Sequence, residues 1–112
     1  MTIEENAFYG CKSLTEVTLP DSVMTVEDSA FSGCTALESA TIGNGVQKIP
    51  SGMFNNCTSL KEVTLPKEVM VVGEQAFQNC AALTAIELPD GVMLIGEGAF
   101  SDCTSLTEIN IP

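Results

Sequence analysis

A phenylalanine and a cysteine three residues apart recur five times at a single step of 23 residues: Phe8/Cys11, Phe31/Cys34, Phe54/Cys57, Phe77/Cys80 and Phe100/Cys103. The surrounding residues keep the same step. Ile3, Val26, Ile49, Val72 and Ile95 form one apolar column, Leu14, Leu37, Leu60, Leu83 and Leu106 a second, and Val23, Val46, Val69 and Val92 a third. A fixed period in this range marks a solenoid, in which one coil cannot bury its own apolar face and stacked neighbours share a core. Each side chain is therefore a member of a column before it is a candidate for chemistry. Dividing 112 residues by 23 gives about 4.9 repeats, a single domain over residues 1–112.

Within one coil, Val17 and Leu19 alternate with Glu16 and Thr18, the period of two expected of a half-buried strand. Stacked coils place these strands side by side in one parallel sheet, roughly 4.8 Å apart. Pro20, Pro66, Pro89 and Pro112 end the strands, since proline has no N–H for the ladder, and Gly43-Asn44-Gly45 is a turn signal at the same place in the second coil. Val23 to Val26 and its copies read as a shorter strand on another side of the coil. Residues 27–34 read as a short helical or 3₁₀ turn, with Phe31 and Cys34 directed to one side. The expected class is an α/β-type solenoid, mostly β. Neither end carries a polar cap of the kind that terminal repeats use for solubility. The chain thus reads as an uncapped fragment of a longer protein, and end-to-end packing of chains is expected.

Fifteen acidic residues face four lysines, with no arginine or histidine, for a net charge of −11. Such a chain repels phosphate backbones and anionic headgroups, so nucleic acid and membrane insertion are not expected. Without histidine there is no Ser-His-Asp or Cys-His arrangement and no histidine metal site. The glutamates Glu16, Glu62 and Glu108 stand on alternate coils of an open sheet, about 10 Å apart, and do not converge across a cleft as paired catalytic carboxylates do. The five cysteines lack metal-type spacing, and each belongs to a column that fills the interior, so a ladder of free thiols is expected. No cofactor and no enzymatic activity follow from the residues.

Two sets of residues remain for recognition. On the outward side of the main strands stand Glu16, Thr18, Thr41, Glu62, Thr64, Glu87, Glu108 and Asn110, a candidate binding face. Between the apolar columns of the second extended stretch lie Met24, Met70, Val71, Met93 and Leu94, a candidate apolar contact strip if these positions face outward; folding inward, they would widen the core.

The pattern Leu-x-x-Val-x-Leu-Pro-x-x-Val-x-x-Ile-x-x-x-Ala-Phe-x-x-Cys-x-x-Leu resembles the BspA-type (Treponema-type) leucine-rich repeat over residues 3–112, with Ala-Phe-x-x-Cys its most specific element. Pro or Gly stands after the strand where ordinary leucine-rich repeats carry Asn or Cys. The resemblance implies a right-handed coil and a surface or secreted protein of host-associated bacteria, several of whose relatives are adhesins for extracellular matrix. It points to a non-catalytic module that binds protein or glycan. The alternative is a structural spacer that positions a neighbouring domain and binds nothing itself.

Overall fold

The computed structural model describes residues 1–110, at Asn110 the backbone alone, and winds through about five coils. Each coil contributes two short strands. The longer ones are β2 (Glu16–Leu19), β4 (Ser39–Ile42), β6 (Glu62–Thr64), β8 (Ala85–Glu87) and β10 (Glu108–Asn110). The shorter ones are β1 (Thr2–Ile3), β3 (Thr25–Val26), β5 (Lys48–Ile49), β7 (Val71–Val72) and β9 (Leu94–Ile95). All pairing is parallel, and every register is the repeat step itself: Val17 faces Ala40, which faces Val63, and Lys48 faces Val71, which faces Leu94.

The main strands, expected to form one parallel sheet, and the shorter strands expected on another side of the coil make two columns, each interrupted once. The main column divides into β2-β4-β6 and β8-β10, and the second into β1-β3 and β5-β7-β9. β6 and β8 lie next to one another without forming a ladder. Nothing in the inward side chains Val63 and Ile86 marks that interruption.

Stacking builds the core. Phe31, Phe54 and Phe77 are fully buried with Leu37, Leu60, Leu83, Ile49 and Val69. The phenylalanine rings form one continuous pile, with centroids 5.0, 5.8, 5.5 and 5.4 Å apart from Phe8 to Phe100 and neighbouring planes within 17° of parallel. The cysteines form a parallel ladder. Each thiol donates to the phenylalanine carbonyl of the coil before it: Cys34 to Phe8 at 3.2 Å, Cys57 to Phe31 at 3.1 Å, Cys80 to Phe54 at 3.2 Å and Cys103 to Phe77 at 3.0 Å. All five thiols are free. Among the described residues no buried side-chain oxygen or nitrogen lacks a hydrogen-bond partner.

The segment before each cysteine is not helical, and no helix occurs among the described residues. It is a run of tight turns, closed by bonds such as Ala7 N to Glu4 O (3.1 Å), Tyr9 N to Asn6 O (3.1 Å) and Cys11 N to Phe8 O (3.2 Å). Two columns in this segment hold positive φ. One is Asn6, Ser29, Gly52, Gln75 and Gly98, between 58° and 69°; the other is Gly10, Gly33, Asn56, Asn79 and Asp102, between 61° and 75°. A left-handed residue every fourth position cannot continue a helix. The phenylalanine N–H groups go instead to the following coil: Phe8 to Ala30 O, Phe31 to Met53 O, Phe54 to Ala76 O and Phe77 to Ala99 O, at 2.7–3.0 Å. Phe31 and Cys34 still share one side, as a tight turn places them no less than a helix does.

Candidate functional site

The alternation in the main strands turns every second residue outward, and the parallel register aligns those residues into rows. Glu16, Ser39 and Glu62 form one row with Thr18, Thr41 and Thr64 beside it; past the interruption, Ala85 faces Glu108 and Glu87 faces Asn110. Glu16, Thr18, Thr41, Glu62, Thr64, Glu87 and Glu108 are all exposed, and the side chain of Asn110 lies outside the described residues. The structure thus brings the candidate binding face together on one surface. Its glutamates are separated by coils carrying Ser39 and Ala85, so the face is a spread of negative charge and not a pair of opposed carboxylates.

A shallow groove of ≈ 790 Å³ crosses this face where β6, β8 and β10 meet. Ala85 is its outward apolar residue, Val63 and Ile86 border it with their side chains turned into the core, and its polar lining is Lys61, Glu62, Thr64, Thr84, Glu87, Thr107 and Glu108. It lies over the place where the ladder between β6 and β8 is broken. Lys61 and Thr84 were not among the residues expected from the alternation, since they precede the strands. Their signal is their column, Thr15, Glu38, Lys61, Thr84 and Thr107, which enters the sheet at the same point in each coil. A neighbouring groove, ≈ 560 Å³, adds Lys67 and Asp90 beside Thr64 and Glu87.

The second strand column resolves the position of the methionines. Val23 and Val26 point into the core, and the two residues between them are turned out: Met24 is 66%, Met70 41%, Met93 82% and Leu94 60% exposed, with Val71 half-buried. The strip is densest in the last two repeats, because Gln47 and Lys48 interrupt it. Met70 and Met93 are held there by backbone bonds to the preceding coil, Met70 N to Gln47 O at 2.9 Å and Met93 N to Met70 O at 2.8 Å.

Four of the thiols, Cys34, Cys57, Cys80 and Cys103, are poor nucleophiles. Burial pushes the Cys57 thiol up to about 12, with the neighbouring Cys34 adding to the rise, and burial raises Cys80, Cys34 and Cys103 as well. Their hydrogen to the phenylalanine carbonyl is a packing bond. Among the described residues no group of three histidine, cysteine, aspartate or glutamate side chains is placed to hold a metal ion, and no helix is long and apolar enough to cross a membrane.

Comparison with known proteins agrees with this geometry. A search of curated protein sequences found no match. Among solved structures, a leucine-rich repeat protein of Treponema pallidum superposes with a TM-score of 0.97 at 38% identity, over 100% of this chain and 52% of its own. One from Bacteroides ovatus gives 0.95 at 35% identity, over 100% of this chain and 29% of its own. A leucine-rich cell surface protein of Faecalibacterium prausnitzii gives 0.81 at 36% identity, over 96% and 35%. The chain therefore spans between about a third and a half of the length of these relatives. Residues 1–112 match, in six copies, the family described as the BspA type leucine rich repeat region. From its residue columns, its stacked parallel coils and these matches, the chain belongs to the BspA-type leucine-rich repeat family.

Proposed function

We propose that the chain is a non-catalytic recognition module of a bacterial surface or secreted protein, adhesin-like, and that its outward sheet face makes the contact. The observation that carries this reading is the shallow, largely polar groove over β6, β8 and β10, which gathers Glu62, Glu87 and Glu108 on an otherwise open face. The charge of that face narrows the ligand. Glu62, Glu87 and Glu108 surround a single lysine, Lys61, in the groove, so a basic protein surface, such as a segment of extracellular matrix protein, fits better than a sulfated glycan. The Faecalibacterium prausnitzii relative is a cell surface protein, which supports the location.

Immobilised matrix proteins and a neutral and sulfated glycan array provide the test. Capture of a basic matrix protein by the chain, lost in Glu62→Lys and Glu87→Lys while the melting curve is unchanged, is the expected result. Capture unaffected by both reversals would remove the sheet face from consideration. One observation favours the spacer as a second reading: the phenylalanine pile and the thiol ladder run without a break through all five coils, as suits a stiff support. A spacer is indifferent to every outward substitution.

A further inference from the structure

The outward positions of the second strand column differ in kind from those of the first. Where the main strands present glutamate and threonine, this column presents Met24, Met70 and Met93, with Val71 and Leu94 beside the last two. Met24 and Met70 each have a coil on both sides and are still 66% and 41% exposed. Their exposure belongs to the column and persists in a longer stack of coils. The parallel register sets Val71 beside Leu94, and Met93 N–H donates to Met70 O at 2.8 Å. These four residues make one apolar patch across two coils, and Met24 continues the column beyond Gln47. Methionine is flexible and polarizable, so a cluster of exposed methionines adapts readily to an apolar partner.

Carboxylates frame the strip. Of the two columns that follow it, one holds Glu4 and Glu27 and the other Glu5, Asp28, Glu74 and Glu97, all exposed and with no lysine among them. On the opposite edge Asp21, Glu68 and Asp90 outnumber Lys67. Between strip and carboxylates opens a groove of ≈ 340 Å³, where Glu5, Glu27 and Asp28 face a single cation, Lys48. Glu27 Oε1 accepts the Glu5 N–H there at 3.2 Å, which fixes its carboxylate. Such a frame repels anionic headgroups and a second copy of this chain, whose own strip carries the same carboxylates, and it attracts a cationic partner. The spacing selects the partner's conformation. Coils ~4.8 Å apart set the outward side chains close to the pitch of an α-helix, about 5.4 Å, whereas alternate residues of an extended strand, ~6.7 Å apart, fall out of step. Three coil steps from Met24 to Met93 cover ~14 Å, the length of about ten helical residues.

We propose that the methionine strip and its acidic edge bind a basic amphipathic helix of a partner protein, laid along the axis of the stack. Its apolar face rests on Met70, Val71, Met93 and Leu94, and its lysine or arginine side chains run along Glu27, Asp28, Glu74 and Glu97. Apolar contact supplies the affinity, and the carboxylates choose a basic helix over an acidic one. This surface is separate from the main sheet face and does not depend on that face binding anything.

The probe is a labelled synthetic peptide of about 14 residues, leucine on one helical face and lysine on the other, titrated with the chain and followed by fluorescence anisotropy. Saturable binding is expected, about tenfold tighter than that of a scrambled peptide of the same composition or of one with glutamate in place of lysine. Met70→Gln with Met93→Gln, and separately Glu27→Gln with Asp28→Asn, should each weaken binding about tenfold with the melting curve preserved. The glutamine at 27 keeps an acceptor for the Glu5 N–H. Because no helix occurs among the described residues, helical circular dichroism gained on mixing reports the bound peptide. In the unmodified chain with 13C-labelled methionine methyls, the signals of Met70 and Met93 should shift and that of the buried Met53 should not. Equal binding of the scrambled peptide reduces the effect to net charge and overturns the proposal, as does no binding, or binding without gain of helix. Binding lost in Glu62→Lys with Glu87→Lys, yet kept in the methionine variant, overturns it in favour of the sheet face. Self-association, or capture by phosphatidylcholine vesicles, that the methionine substitutions abolish overturns it by giving the strip to a second copy or to lipid.

Discussion

Replacing Gln75 with glycine should stabilise this protein, the reverse of what glycine does at an exposed helical position. Gln75 sits at φ 58° in a column whose other members are Asn6, Ser29, Gly52 and Gly98, all left-handed. An L-residue in this conformation carries a cost of roughly 1–2 kcal/mol, which glycine avoids. Glycine brings in return about 0.5–1 kcal/mol of additional unfolded-state freedom to be lost on folding. Little packing is sacrificed, because the side chain is exposed, and its Cγ lies 3.5 Å from where a Cβ would be on Gly98, which has none. The net gain is about 0.5–1 kcal/mol, or about 2–5 °C in melting temperature for a domain of this size. Were residues 73–80 a helical turn, the same substitution would cost about 0.5–1 kcal/mol. The two readings thus differ in sign. Melting followed by circular dichroism, at a concentration where the chain is monomeric, separates them, and Gln75→Val, a β-branched residue at positive φ, should melt lower than the parent. A lower melting temperature for Gln75→Gly would refute the left-handed column.

Other expectations follow from the same geometry. Phe54→Ala, which empties a fully buried site stacked on both sides, should cost about 4–5 kcal/mol, whereas Phe8→Ala, half open and stacked on one side, should cost clearly less; chemical denaturation of the two variants makes the comparison. Burial raises the Cys57 thiol from 9.0 to about 12, so the folded state holds its proton where the unfolded state releases it. Stability is therefore complete below pH 9 and falls as pH rises from 9 towards 12, by about 1.4 kcal/mol per pH unit for each such thiol, and Cys57→Ala should flatten that alkaline decline. Native alkylation at pH 8 should spare Cys57 and Cys80, and all five thiols should react once the chain is unfolded, as intact mass will show. Met70→Gln with Met93→Gln should leave the melting temperature within about 2 °C of the parent, since both side chains already face water.

Much of this architecture was legible in the sequence because identical coils must meet identical neighbours. The period of 23 gives the register of every strand pair, and the alternation at Val17 and Leu19 shows which side chains turn outward. The turn segment was harder to read. Phe31 and Cys34 lie three apart in a tight turn as in a helix, and Ser29 or Gln75 alone carries no sign of positive φ. The sign was in their column mates Gly52, Gly98 and Asn6, since backbone conformation repeats down a column even where the residue does not. The outward rows of glutamate and threonine were legible for the same reason as the strands. The groove was not. It depends on β6 and β8 failing to pair, and Glu62-Val63-Thr64 and Ala85-Ile86-Glu87 are both ordinary strand sequences. The methionine positions were ambiguous because apolar residues three apart, as at Val23 and Val26, allow the pair between them to point either way. The backbone bonds of Met70 and Met93 to the preceding coil decide it in favour of exposure.

Amide hydrogen exchange at the buried phenylalanines tests most directly the claim that the chain is a stack of equivalent coils joined by the same backbone bonds at every step. The amides of Phe31, Phe54 and Phe77, each bonded to the carbonyl of the next coil, should all be strongly protected and to a similar degree. Rapid exchange at Phe54 while Phe31 and Phe77 stay protected, or rapid exchange at all three, would contradict it.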